Sequence, residues 1–387
     1  MCIRDSLIAY AMDVGGSGFD QIMLFNPEDG QTRMLTDGES LNNRMVWDLQ
    51  GKRLAYRSTR RNGRNNDIWL MDIDQPEKAR LVLESSDGAL WKPVDFSADG
   101  KMLLAQYYAG ITDSRIYVID LESAELRLMV GSEEFPTSSV ASGFNHDDTA
   151  VLFVSNQRGN AAEIGSVTIS EERIFRYVED PITWDVSDFV LSADGRRGAF
   201  ITNEEGISKL YLFDPESMRY QRIRRTPIGV INALKFSPDG RKLGMTLNTA
   251  RTPSDAFVLK LRSKPLSFDR LTRWTHGTVG DLDPDKFIQP KLVHFPARML
   301  TNERIILMPA FVYQPKGRGP FPVVIYIHGG PEGQFRPSFN RQIQMWVDKL
   351  NVAVIAPNVR GSLGYGEPYL AKDDGQLREN AVKDIGF

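Results

Sequence analysis

Cysteine is nearly missing from this chain: one residue, Cys2, in 387. An intrachain disulfide is therefore excluded, and thiol chemistry has nothing to build on. Histidine is scarce as well, with four residues at 146, 276, 294 and 328, too scattered to suggest a zinc motif by spacing. No apolar run approaches the roughly 18 residues of a membrane span. The N-terminus as it stands lacks the basic, apolar and small-residue succession of a secretory signal. Neither sign of charge dominates: 47 Lys and Arg against 50 Asp and Glu give a net charge of −3 and a pI near 5.9. That balance leaves no electrostatic footprint for nucleic acid or an anionic membrane. The rest is ordinary globular material, 41% apolar and 25% charged with a mean hydropathy of −0.32, long enough for two domains or more.

What the chain does have is a repeat. Trp47-Asp-Leu-Gln-Gly-Lys52, Phe96-Ser-Ala-Asp-Gly-Lys101, Phe144-Asn-His-Asp-Asp148, Leu191-Ser-Ala-Asp-Gly-Arg196 and Phe236-Ser-Pro-Asp-Gly-Arg241 share one pattern. Their glycine positions (51, 100, 148 occupied by Asp, 195 and 240) step by 49, 48, 47 and 45. Asp-Gly between two apolar runs is a hairpin signal, because glycine accepts the positive φ of such turns. A second pattern keeps the same beat, in Gln21–Phe25, Asp67–Met71, Arg115–Ile119, Glu163–Val167, Lys209–Phe213 and Ala256–Lys260. Between the two lies a further strand, such as Arg53–Arg57 or Met102–Gln106. Three to four short strands per period, with turns between them, is the signature of a β-propeller blade rather than of a β-sandwich. The blades resemble the Trp-Asp-like repeats of TolB-type and peptidase-associated propellers.

The phase predicts about six blades over residues 7–275, the first incomplete. Residues 1–6 stand where an earlier Asp-Gly turn should be, and are expected to be non-native. Asp99, Asp194 and Asp239 fall in the repeated turn, where bonds to the local backbone explain them. Arg57, Arg60, Arg61 and Arg64 read as a solvated hairpin loop, and Trp47, Trp69 and Trp91 as blade packing.

Near Thr275 the beat stops. Residues 276–300 read as a turn-rich linker, with Asp283-Pro284 and Gln289-Pro290. Residues 301–387 then change character. Arg304–Tyr313 supplies strand material, and Val323–Ile327 is expected to be a strand buried on both faces. Phe339, Ile343, Trp346, Val347 and Leu350 share one helical face. Val352–Ala356 is the next buried strand, completing a βαβ unit. The apolar runs break at His328-Gly-Gly-Pro331 and at Asn358-Val-Arg-Gly-Ser-Leu-Gly-Tyr-Gly366, where an open parallel sheet presents its ligand site.

These two loops in this order, with a propeller upstream, resemble the catalytic domain of the prolyl oligopeptidase family of serine peptidases (S9). Val382–Ile385 resembles the start of the helix before that family's nucleophile strand. The resemblance implies a β-propeller followed by the N-terminal part of an α/β-hydrolase domain. It also implies hydrolysis of short peptides through an acyl-enzyme, with the propeller gating access. Gly330, with Gly329 beside it, would offer a backbone N–H to the substrate oxyanion; a glycine requirement of the turn alone is the competing reading. The family's branches differ at position 328. A tyrosine there marks prolyl-oligopeptidase and dipeptidyl-peptidase character, whereas His328 points to the acylaminoacyl-peptidase and bacterial dipeptidyl-aminopeptidase-like branches.

Two residues imitate a catalytic pair. In α/β-hydrolase order the triad histidine comes last, so His328 is expected to shape its loop. The nucleophile elbow is Gly-x-Ser-x-Gly, and the residue two before Ser362 is Arg360; the elbow occurs nowhere in the 387 residues. Nucleophile, acid and base are expected beyond residue 387, so this chain alone is expected to be inactive. Arg360 and Tyr365 are candidate substrate-binding residues, with a salt bridge for Arg360 and loop packing for Tyr365 and Glu332 as competing roles. No cofactor or metal is implied, and a homo-oligomer is compatible with the sequence. The compartment stays open between cytoplasm and periplasm or secretion. The other readings are a TolB-like binding propeller, an α/β-hydrolase esterase, and a pseudoenzyme whose gene lacks the serine.

Overall fold

A computed structural model describes the chain except residues 1, 5, 6, 111, 160, 181, 297–305, 331, 332, 374 and 387, with the backbone alone given for residues 2–4 and 367. Part of the segment 1–6 expected to be non-native, the start of the strand at Arg304, and Glu332 thus lie outside the described residues. The described strands form seven four-stranded sheets.

In chain order the first four sheets are β1–β4 (Cys2–Arg4, Leu7–Asp13, Asp20–Asn26, Gln31–Met34), β5–β8 (Asn42–Trp47, Arg53–Ser58, Asp67–Asp72, Gln75–Leu83), β9–β12 (Leu90–Phe96, Met102–Gly110, Asp113–Asp120, Leu126–Val130) and β13–β16 (Ser139–Phe144, Ala150–Ser155, Glu163–Thr168, Phe175–Tyr177). Each is an antiparallel meander. They belong to one compact unit, in which β1, β5, β9 and β13 run beside one another in succession. This is the propeller-type arrangement, with first strands gathered and fourth strands outermost.

The repeated turn joins the first strand to the second. At Ser97–Met102 the Ser97 hydroxyl donates to Asp99 Oδ1 at 2.7 Å, while Lys101 N donates to the same oxygen at 3.0 Å. Met102 N in turn donates to Ser97 Oγ at 2.9 Å. These backbone and hydroxyl donors hold the Asp99 carboxyl below its ordinary range. Gly51, Gly100, Gly195 and Gly240 all take the left-handed φ the turn demands, and Asp148 takes it at +56° where the glycine is missing. Aspartate is among the few side chains that tolerate this region.

Second and third strands form the most buried layers. Ile68 and Leu70 of β7 pack with Leu103 and Ala105 of β10 and with Ile119 of β11. Ile116 and Val118 pack with Val151, Phe153 and Val167 in the next layer. A second device recurs at the outer edge. Arg33, Arg80 and Arg127, on fourth strands, donate to the carbonyls of Ile73, Leu121 and Ile169 at 2.7, 2.9 and 2.9 Å. Each carbonyl follows the third strand of the next sheet, so in each of the first three sheets one arginine clasps the neighbouring sheet.

Asp95, in β9, accepts from Phe96 N and Phe144 N, each at 3.0 Å. Burial pushes its carboxyl up to about 7 and the nearby Asp148 adds to this, although the residue keeps some solvent-accessible surface. The folded state thus holds a proton that the unfolded state releases near the ordinary 3.8, and stability falls as pH rises through that window. The slope from this group is at most about 1.4 kcal/mol per pH unit. Asp95→Asn should flatten the decline in thermal midpoint between pH 5 and pH 7; identical slopes for the two proteins would remove Asp95 as its source.

The second compact unit holds two more antiparallel meanders, β17–β20 (Val186–Leu191, Gly198–Glu204, Ile207–Asp214, Arg219–Arg222) and β21–β24 (Gly229–Phe236, Lys242–Thr249, Asp255–Leu261, Phe268–Arg273). It also holds a mixed sheet with spatial order β25-β26-β28-β27, from Lys291–Pro296, Leu307–Tyr313, Ala353–Pro357 and Val323–Ile325. β27 and β28 are parallel and connected through helix α1 (Arg341–Lys349), the βαβ unit read from the sequence. Asn340 caps α1, accepting from Gln342 N and Ile343 N at 3.0 and 3.1 Å. Ile343 and Val347 of α1 pack with Phe311, Tyr313, Val354 and Ala356. Two short helices follow, α2 (Glu367–Leu370) and α3 (Arg378–Ile385). No helix among the described residues is long and apolar enough to cross a membrane.

Three local expectations change. The stretch read as linker contains β25, paired along its whole length with β26. Val323, Ile325 and Ile327 were expected inside, yet they are 55%, 48% and 51% exposed. β27 is a sheet edge, and these alternate residues share a face that nothing among the described residues covers. Leu350, expected on the buried helix face, is exposed because α1 ends at Lys349.

Candidate active-site loops

The two loops singled out in the sequence follow β27 and β28 and meet. Their hub is Asn358, fully buried at the end of β28. Its Oδ1 accepts from Phe335 N at 2.7 Å, and its Nδ2 donates to Phe335 O at 3.1 Å and to Tyr365 Oη at 2.8 Å. Its own carbonyl accepts from Tyr369 Oη at 2.7 Å. One side chain thus closes the first loop onto the second.

The first loop is also tied to the fifth and sixth sheets. Arg336 donates to Gly206 O and Ser208 Oγ, each at 3.0 Å. Gln334 Oε1 accepts from Asn203 Nδ2 at 2.7 Å, and Phe339 N donates to Asn248 Oδ1 at 2.6 Å. Burial lowers the Arg336 guanidinium below its ordinary value.

Gly329 and Gly330 are exposed. Gly329 has no left-handed φ, and a Cβ on it would meet nothing within 4 Å. The close approach in this loop belongs to Gly333, where a Cβ would collide with the Gly329 carbonyl oxygen. Neither steric crowding nor backbone conformation therefore demands glycine at 329.

Arg360 is 5% exposed, and its guanidinium is forked onto Asp384 of α3, Nε to Oδ2 at 2.8 Å and Nη2 to Oδ1 at 2.6 Å. This is the salt bridge weighed against substrate contact in the sequence. Tyr365 is packed against Tyr369, ring centroids 5.1 Å apart, and burial pushes its phenol up to about 12.

His328 and Ser362 come together, which sequence spacing does not show. His328 Nε2 lies 3.0 Å from Ser362 Oγ. Ser362 is 1% exposed and donates its hydroxyl proton to Val359 O at 2.7 Å. With that proton directed at Val359 O, Ser362 accepts from His328 Nε2, while His328 Nδ1 lies 3.1 Å from the Gly329 carbonyl oxygen. A general base must instead receive the nucleophile's proton. No carboxylate among the described residues bonds His328, so the pair has the polarity of a loop clasp.

Residues 4–174 match the family model described as the prolyl oligopeptidase N-terminal beta-propeller domain. A curated relative, an uncharacterised peptidase (YuxL) of Bacillus subtilis strain 168, is 22% identical over 175 residues, covering 44% of this chain and 24% of its own length. Apo prolyl oligopeptidase B from Galerina marginata superposes with a TM-score of 0.79 at 16% identity, over 98% of this chain and 56% of its own. A puromycin-hydrolysing peptidase from Mycobacterium tuberculosis gives 0.76 at 15%, over 95% and 59%. The chain thus spans a quarter of the curated relative and a little over half of these structures.

Fold and family match together define a propeller-type N-terminal domain of serine peptidases. Residues 4–174 carry the match to the propeller domain of the prolyl oligopeptidase family.

Proposed function

We propose that this chain is part of a serine-type peptidase that hydrolyses short peptides through an acyl-enzyme, with the propeller screening what reaches the site. The division into a propeller over 7–275, a connection over 276–300 and the opening of an α/β-hydrolase domain over 301–387 is part of this reading. The observation that carries it is the parallel β27–α1–β28 unit, whose first loop leaves Gly329 open where neither packing nor backbone conformation needs a glycine. Gly330 N–H, with Gly329 beside it, serves as oxyanion donor, a contribution of about 2.7–4 kcal/mol to the transition state in related chemistry. Arg360 and Tyr365 act on the substrate by fixing the second loop. His328 secures Ser362 and takes no proton from a nucleophile, so the chain by itself is inactive.

The test is the open reading frame past Phe387. A Gly-x-Ser-x-Gly followed by Asp and then His, in a protein that cleaves peptidyl amides faster than acyl esters, is the expected result. A frame without that serine overturns the reading, and preference for esters turns it into an esterase.

A further inference from the structure

A cavity of about 350 Å³ opens within the first compact unit, among the second, third and fourth sheets. It is at the small end of ligand sites, which run about 300–1,000 Å³. Its wall carries Arg44, Arg57 and Lys92, together with Leu90, Tyr108 and Val140. The strand register explains the grouping: Leu90 and Lys92 are alternate residues of β9, paired with Tyr108 and Gln106 of β10, so both project from one face. Arg44 sits in the β5 bulge at φ +54°. Ala233 takes the same conformation at the equivalent bulge of β21, so the backbone there is architectural while the arginine is particular to this blade.

Three cations share this wall, and none has a carboxylate within ion-pair distance among the described residues. Arg57 Nε donates to Asn43 Oδ1 at 2.9 Å and Asn43 Nδ2 reaches Asp20 at 3.3 Å, and the Asp20 charge offsets only part of the lowering at Arg57. Burial, followed by repulsion from Arg44, lowers both Arg57 and Lys92 from their ordinary values, and Arg57 adds to the effect on Lys92. Desolvated like charges without a counter-ion cost stability, and an entering anion would relieve that cost. Leu90, Tyr108 and Val140, each at least 40% exposed, give the same cavity an apolar side.

We propose that this cavity binds the carboxylate of a short peptide, the cations holding the carboxylate and the apolar wall holding the adjoining side chain. The anion site stands on its own geometry; only the choice of a peptide as the carrier rests on the function proposed above.

The test is calorimetric titration of the whole chain with N-acetyl-Leu-Phe as the free acid, with its C-terminal amide, and with inorganic phosphate. The free acid should bind, the amide should bind at least about tenfold more weakly, and added salt should weaken the acid. Arg44→Ala/Lys92→Met should lose at least about tenfold for the acid while keeping or raising its thermal midpoint, since it removes repelled charges. Arg44→Gln alone, at an exposed position, is the milder variant and should lose part of the affinity. Equal binding of acid and amide, phosphate binding as well as the acid, an unaffected double variant, or no binding at millimolar peptide would each overturn the site. A failure here leaves the hydrolase reading intact, and a reading frame without the serine leaves this binding result intact.

Discussion

Arg360→Met should lower the stability of the second compact unit by about 3–5 kcal/mol in denaturant unfolding, the cost of leaving one member of a buried ion pair uncompensated. Both partners are out of solvent, with side-chain exposures of 6% for Arg360 and 0% for Asp384. The pair is bidentate, so the fork geometry as well as the charge is lost. The effect should be local first. α3 is only eight residues long and has no side-chain cap at its N-terminus. It is also held by Ala381 and Ile385 packing near Met308 and Val359, and Arg360 Nη2 reaches the Asn380 carbonyl at 3.5 Å. Amides of α3 should therefore lose hydrogen-exchange protection before the mixed sheet does. The double variant Arg360→Met/Asp384→Leu should recover most of the loss, because an apolar replacement of a buried pair is often neutral or better. A single-variant loss below about 1 kcal/mol would place the pair in solvent-like surroundings.

Asn358→Ala is expected to cost about 3 kcal/mol, since it strands buried groups whose desolvation penalty is about 1–3 kcal/mol each. The groups are Phe335 N–H, Phe335 C=O and the Tyr365 hydroxyl. Asn358→Asp keeps an acceptor for Phe335 N–H but loses the donor to Phe335 C=O and to Tyr365, and should be destabilised as well. Exchange at Phe335 N–H separates the variants: fast in Asn358→Ala, slow in Asn358→Asp. Equal protection in wild type and Asn358→Ala would mean that the two loops are held together by something other than this side chain.

The parts of the fold that were legible in the sequence are those governed by local rules. The Asp-Gly turns could be read because one carboxylate, one hydroxyl and one left-handed residue settle them within six positions, and the third strands because their apolar runs are continuous. The clasps of Arg33, Arg80 and Arg127 went unread, although they recur at steps of 47. A periodic arginine gives no hint of its acceptor until the sheets are in register. β25 was hidden by its composition, since the prolines and polar residues around Lys291–Pro296 look like linker.

The site was legible in outline only. Its two loops stood out because glycine-rich breaks after apolar runs are a sequence feature. Asn358 did not, because a buried amide that satisfies three partners looks the same in sequence as any loop asparagine. The contact between His328 and Ser362 is tertiary, and the direction of its hydrogen bond depends on Val359 O. Val323, Ile325 and Ile327 read as core because strand burial cannot be told from sheet position without knowing which strand is the edge.

In the proposed reading Ser362 is a clasped structural serine and not a nucleophile, beside oxyanion donors at Gly330 and Gly329. Incubation with a serine-directed fluorophosphonate followed by intact-mass measurement tests this most directly. The chain should keep its unmodified mass, as should Ser362→Ala. A single phosphonate adduct on the wild-type chain that is lost in Ser362→Ala would contradict it.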